Sequence, residues 1–424
     1  MTGIFHRSDM LPETDDEPRR HAALEHVKEI LLMHGATEEE IDQAVADGVI
    51  DLFVADRLLV PSRRRYTRVE VSELTGVSVD MLERFWRALG FPGVDDDDRA
   101  FTDLDLEAVR LFQGLQALGA ADAETAVQMA RVIGSSMARI AEAELVPGDM
   151  VSAEVDPILS ADAFAGIADV TIPAMAKLLE FVWRRQMAAG IQRSMMLRSH
   201  GLAPGQSPEI AVGFADMVGF TLLSQHLSDE ELAAVVGRFE EISHDIVTSA
   251  RGRVVKMIGD EVMFVVQTAE SAAQIGLSLA EAYAGDDLLS DVRVALAIGP
   301  VLVKDGDFYG PVVNLASRLV GVAHPGTVLI SDDFKEALAH EEATGIDTRP
   351  LRTRTLKDLG RIEMWKLIRA GTEPGSDRRR TMRWERLGEV LRELDELRER
   401  GEPVVPRPGD SVAVEPGGGD PVGT

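Results

Sequence analysis

The sequence predicts an α+β chain in which an all-α region precedes a ferredoxin-like βαββαβ sandwich. Three observations lead there. Apolar residues recur at helical spacing up to about residue 200, and the stretch GLAPGQSP at 201–208 then breaks the pattern. Beyond it, short β-branched runs alternate with helical ones. The expected divisions are a disordered start at 1–20, a helical domain at 21–165 and a long helix with linker at 166–208. The α+β domain then covers 209–370, and a C-terminal helix and disordered tail cover 371–424.

The helical part takes its elements in order. Leu24, Val27, Ile30 and Leu31 place one face of a helix in Ala23–Met33. Tyr66–Phe91 reads as a helix-turn-helix, with Gly76 at the turn and Ser78 capping the second helix. Helices follow over Thr102–Ala117 and Val127–Leu145, a loop over Pro147–Pro157, and a long apolar helix over Ile172–Leu197. In the second part Ile210–Ala215 is a strand, and Ser228 to Glu231 form a capping box that opens a helix. Arg253–Ile258 and Val262–Val266 are strands joined by a tight turn at Gly259-Asp260-Glu261. A helix at Ala269–Tyr283, a strand at Val292–Ile298, a helix opened by Pro311 and a strand at Thr327–Ile330 complete the domain. Met382–Arg400 is a further amphipathic helix, a packing or dimer element behind a solvated basic run at Arg378–Arg380.

Composition narrows the function. The 424 residues carry a formal charge of -28, which repels phosphate backbones and argues against nucleic-acid partners. There is no cysteine, so disulfides, thiolate metal sites and cysteine nucleophiles are excluded, and a reducing cytoplasm fits. No apolar run is seen to approach the roughly 18 residues of a membrane span, so the expectation is a soluble cytoplasmic chain with no membrane contact.

Six polar residues carry the chemistry: Asp216, Lys256, Asp260, Asp307, Asn314 and Arg318. Asp216 ends an apolar strand, and Gly219 and Thr221 after it can bring backbone N–H groups to phosphate. Asp260 sits at a hairpin tip. Alone it reads as an ordinary turn residue; beside Asp216 it reads as half of a two-metal clamp with ions roughly 3.5–4 Å apart. Asn314 and Arg318 share one helix face, four residues apart.

These segments, Phe214–Thr221, Lys256–Glu261 and Asp307–Arg318, resemble the three signature segments of class III nucleotidyl cyclases, over about residues 209–370. The resemblance implies Asp216, Asp260 and Met217 as metal ligands for two Mg²⁺ or Mn²⁺ per active site. It implies Lys256 and Asp307 as readers of adenine, with Phe220 and Thr221 also in the substrate set, and hence ATP as substrate. It further implies Asn314 as the ribose-orienting residue and Arg318 as the guanidinium that stabilises transition-state charge. Lys357 is loosely matched to a contact with the terminal phosphates. In the family, sites lie between two catalytic domains, so one such domain bearing all six residues implies a homodimer. Residues 21–200 are similar to the inhibitory helical domain of mycobacterial-type cyclases, some responsive to pH; His200 and His226 flank the linker as candidate sensors.

Two other readings compete. Ile258-Gly-Asp-Glu-Val262 is similar to the loop of diguanylate cyclases but departs from it at Ile258 and Val262. Tyr66–Phe91 with Arg99–Asp103 resembles the winged helix-turn-helix of MerR-type regulators, yet Arg63–Gly90 has only six arginines against four acids.

Overall fold

The structure is a computed structural model that describes residues 16–119, 122–145, 156–199, 207–286, 288–356 and 359–372. It falls into two compact units, residues 1–196 and 197–424. The loop at 147–155, the linker at 201–206, Lys357, His200 and everything past residue 372 lie outside the described residues, as do residues 1–15.

The first unit is helical: α1 (Asp16–Met33), α2 (Glu38–Ala46), α3 (Ile50–Leu59), α4 (Arg68–Thr75), α5 (Val79–Ala88), α6 (Asp103–Ala117), α7 (Ala123–Glu144) and α8 (Pro157–Ser199). Thr37, Thr67 and Thr102 each close a capping box, and Ser78 caps α5 by accepting the Met81 N–H. Gly76 ends α4 at φ 74°, the left-handed position that glycine fills without steric cost. One core joins α1, α2 and α3 to the start of α8 through Val27, Leu31, Ile41, Val54, Ala161 and Ala165. A second holds the helix-turn-helix together around Val71, Leu82, Phe101 and Leu106.

Three expectations need correction here. Residues 16–20, expected to be disordered, open α1, where Arg20 pairs with Asp156 at 2.7 Å. The division at 165/166 falls inside α8, because Ile158, Ala161 and Ala165 continue straight into the segment read as a separate helix. And α8 is long and apolar enough, by length and composition, to cross a membrane, which the sequence reading missed because scattered charges break up its apolar run. Part of that helix is nevertheless committed to the unit's own core.

The second unit contains β1 (Glu209–Met217), α9 (Phe220–Leu223), α10 (Asp229–Ser249), β2 (Arg253–Ile258), β3 (Glu261–Val266), α11 (Ala269–Gly285), β4 (Val292–Pro300), β5 (Leu302–Lys304), β6 (Asp307–Tyr309), α12 (Pro311–Val320), β7 (Val328–Ser331), α13 (Asp332–His340), β8 (Ile346–Pro350), β9 (Arg354–Leu356), β10 (Gly360–Ile362) and β11 (Met364–Arg369). The main sheet runs β2-β3-β1-β4-β7-β11-β8. Its first four strands, with α10 and α11, are the expected βαββαβ core; among the described residues β4–β7 is the one parallel pair of this sheet. α10 and α11 cover one face through Phe239, Ile275 and Leu279, and α12 covers the other through Val312, Ala316 and Leu319. The extension to β11 and β8 and the small hairpins β5–β6 and β9–β10 were not foreseen.

Gly213 has the least room of the glycines in this sheet. It faces Phe264 across the β1–β3 pair, and a Cβ there would lie 2.1 Å from the ring. Gly213→Ala should therefore destabilise the chain by about 1–3 kcal/mol through overpacking. Denaturant unfolding checks this; an unchanged midpoint would show that the ring moves aside freely.

Candidate active site

Asp216 stands one residue from the end of β1, the central strand of the βαββαβ core. The register places it opposite Glu261 on β3 and Arg293 on β4. Directly paired residues on neighbouring strands share a face, so three ionisable groups meet at one edge of the sheet. The Arg293 guanidinium donates to Asp216 Oδ2, both side chains being largely buried. Arg293 Nε is buried and, among the described residues, has no hydrogen-bond partner.

Asp260 arrives from the side. Gly259 and Asp260 form the two-residue loop between β2 and β3, with Gly259 at φ 62°, a left-handed value that this tight connection requires of its first residue. The Asp260 carbonyl accepts the Met217 N–H at 2.9 Å, which ties the hairpin tip to the end of β1. Met217 has a fully buried side chain. Of its atoms, the backbone carbonyl is the hard oxygen donor that a divalent ion would take.

The carboxyls act on one another electrostatically. Burial raises Asp216 above the ordinary carboxylate range; the Arg293 charge opposes this and the Asp260 charge adds to it. Glu261 is pushed up to about 7, first by burial and then by the charges of Asp216 and Asp260. Acids that repel one another at a partly buried strand end are the setting a divalent cation relieves, and the donors are hard oxygens. Among the described residues no three His, Asp or Glu side chains close a complete metal cage. The donor set fits Mg²⁺ or Mn²⁺ held openly by Asp216, Asp260 and the Met217 carbonyl, with substrate oxygens completing the shell.

A second pair lies on other elements. Lys256 Nζ on β2 meets Asp307 Oδ2 on β6 at 2.5 Å, and the Phe308 N–H donates to Asp307 Oδ1 at 2.8 Å. Burial works against ionising Asp307, but the Lys256 hydrogen bond, the Phe308 N–H and the nearby cations outweigh it and hold its carboxyl below the ordinary range. Asn314 and Arg318 project from the exposed side of α12, whose Val312, Ala316 and Leu319 are buried. Among the described residues no hydrogen bond or ion pair links these two side chains to Asp216 and Asp260 or to Lys256 and Asp307. Phe220 is half-buried against the core at the start of α9 and Thr221 is exposed beside it. Thus the structure joins Asp216 to Asp260 and Lys256 to Asp307, and leaves Asn314 and Arg318 facing outward. His226 is exposed, with its Nδ1 2.9 Å from the Leu222 carbonyl oxygen.

Sequence reading missed Glu261 as a member of the acidic group and missed Arg293 altogether. The signal for Arg293 was present: an arginine inside the apolar run Val292–Ile298 needs a buried partner.

Comparison with known proteins agrees with this geometry. Residues 8–192 match the family model described as "Adenylate cyclase regulatory domain", and residues 202–368 match "Adenylate and Guanylate cyclase catalytic domain". The chain belongs to the adenylate cyclase family. It is 34% identical over 340 residues to an "Adenylate cyclase" of Streptomyces coelicolor, covering 74% of this chain and 88% of that one. It is 31% identical over 360 residues to a "pH-sensitive adenylate cyclase" of Mycobacterium tuberculosis, covering 82% and 88%. Among solved structures, the guanylate cyclase domain of RhGC from Catenaria anguillulae, in complex with GTP, is similar at 21% identity with a TM-score of 0.36, covering 39% of this chain and 98% of that one.

The helix-turn-helix of this adenylate cyclase spends its cations internally. Arg68 pairs with Glu83 and Asp96, Arg84 with Glu124, Arg87 with Glu83 and Arg99 with Glu70. Such neutralised arginines offer little to a phosphate backbone.

The raised Glu261 carboxyl has a pH signature in metal-free protein. Its folded value of about 7 lies above the unfolded value of about 4.3. The group therefore contributes stability that is full below the unfolded value and lost as pH rises through about 7. With chelator present, thermal stability should fall between about pH 5 and 8, and Glu261→Gln should flatten that slope. An unaltered slope in the variant would place the titration elsewhere.

Proposed function

We propose that the chain cyclises ATP to 3′,5′-cyclic AMP and diphosphate at sites shared between two copies. The carrying observation is the division of the polar residues within one chain. Asp216 and Asp260 form one half-site at the end of β1, and Lys256 and Asp307 form another on β2 and β6, joined at 2.5 Å. A base and its phosphates lie too far apart for Lys256 and Asp260, on one short hairpin, to serve both ends of the same nucleotide. Two copies related by a two-fold axis would each supply the half that the other lacks.

Metal bound at Asp216, Asp260 and the Met217 carbonyl would lower the pKa of the ribose 3′-hydroxyl and neutralise phosphate charge. The chain's own residues do the remainder. Asp307 accepts the exocyclic amine of adenine and Lys256 donates to a ring nitrogen. Asn314 orients the ribose so that its 3′-oxygen stands in line with the α-phosphorus. That oxygen attacks, its proton passes to solvent water, the new O–P bond closes the ring, and diphosphate departs with the electrons of the broken bond. Arg318 meets the charge that develops on the α-phosphate, a contribution of about 3–4 kcal/mol to the barrier. Phe220 and Thr221 border the phosphate end. The helical unit regulates this output, and a response to pH is supported by the named mycobacterial relative.

Purified full-length chain should form cyclic AMP from ATP and not cyclic GMP from GTP. Asp216→Ala and Asn314→Ala chains should each be inactive alone. Mixed, they should recover activity through the one intact site of each heterodimer. A mixture as inactive as its parts would remove the shared site, and cyclic GMP as the main product would remove the assignment of Lys256 and Asp307.

A further inference from the structure

The arm that carries Asp307 is weakly supported by itself. β5 and β6 form a two-stranded sheet outside the main one, with the residues of β5 exposed. Asp305 and Gly306 form its turn, both with positive φ (55° and 82°), the pattern of a two-residue type I′ hairpin. An isolated two-stranded hairpin is marginal in water. Yet Asp307 comes directly after that turn and must hold its carboxylate against Lys256 on β2. Something on β2 has to fix the arm.

The irregularity in β2 supplies it. Residues three apart in a regular strand point to opposite faces. Here the β2–β3 register shifts between Val254 and Lys256: Arg253 faces Val265, Val254 faces Phe264, and Lys256 faces Met263. Val255 is the extra residue of a bulge, the device by which a strand re-aims a side chain. Val265 and Met263 both belong to the core on the α12 side of the sheet, together with Phe308; Phe264 belongs to the opposite core. The bulge therefore brings Arg253 and Lys256 onto the same face, toward the arm. The Arg253 guanidinium lies over the Phe308 ring at 4.8 Å from its centroid, and its Nη2 is 3.5 Å from the Gly306 carbonyl oxygen. It thus holds the residues on both sides of Asp307, while Lys256 holds Asp307 itself.

We propose that Arg253 is a positioning residue for base recognition: it clamps Gly306 and Phe308 so that Asp307 presents its carboxylate to the exocyclic amine of the nucleotide. Arg253 contacts no substrate in this scheme and acts through the arm. The inference rests on the assignment of Lys256 and Asp307 as base readers. It adds that adenine preference depends on a residue outside the three signature segments.

Equilibrium binding of 3′-deoxy-ATP and 3′-deoxy-GTP to the full-length chain tests this without turnover. The parent should prefer the adenine nucleotide. Arg253→Met should reduce that preference about tenfold, in line with the loss of a partly desolvated cation–π contact, and should do so with an unchanged melting temperature. Arg253→Lys keeps a cation over the ring and should recover part of the preference. In a Phe308→Leu background the arginine has no ring to clamp, and the same Arg253→Met change should have a much smaller effect. A parent with no preference would overturn the base-reader assignment, and this inference with it. A parent that prefers adenine beside an Arg253→Met chain with equal preference would overturn the role of Arg253 alone. A loss of preference that Arg253→Lys does not restore, accompanied by a lower melting temperature, would reduce Arg253 to a stabilising residue.

Discussion

A carboxylate near the end of a central strand, largely out of water, is the condition around which the second unit is arranged. Asp216 is largely buried, and isolating such a charge would cost several kcal/mol. The sheet answers with Arg293 on the neighbouring strand and with a hairpin tip that hydrogen-bonds to the strand end. Both answers depend on register. Asp216 meets Arg293 and Glu261 only because β3, β1 and β4 lie side by side in that alignment, and a shift of one residue would turn each side chain to the other face. The apolar strands and the helices on both faces are therefore part of the site, since they fix the alignment that Asp216 needs.

The two aspartates Asp216 and Asp307 are held in different ways. Asp216 belongs to the rigid sheet. Asp307 belongs to an arm outside it, held to β2 by the Lys256 ion pair and by Arg253, which stacks on Phe308 and donates to the Gly306 carbonyl. In the proposed dimer a nucleotide would have its phosphates at the stiff end of one copy and its base at the adjustable arm of the other.

Much of this was legible in the sequence, and the parts that were not share a cause. Capping boxes, the Gly76 turn, the Gly259-Asp260 hairpin and the Asn314–Arg318 spacing are local signals, and each appears where its residues place it. Arg293, the joining of β11 and β8 to the sheet, and the bulge at Val255 are products of long-range strand pairing, which leaves no local periodicity. α8 was misread for a different reason. The charges at Asp162 and Asp169 interrupt the apolar pattern before Ile172, yet the helix runs through both and on through Pro173. A proline inside a helix costs about 3 kcal/mol or more, and the buried residues before it help to offset that cost.

The separation of the arm from the main sheet bears on how such a chain can change over time. β5 is exposed, and among the described residues the arm makes no strand pair with the main sheet. Substitutions on β5 can therefore accumulate with little cost to the core, whereas Phe308 on β6 and the largely buried Asp216–Arg293 pair are constrained by packing. Nucleotide preference is then the more evolvable property of the site, and the bond-forming chemistry the more heritable one.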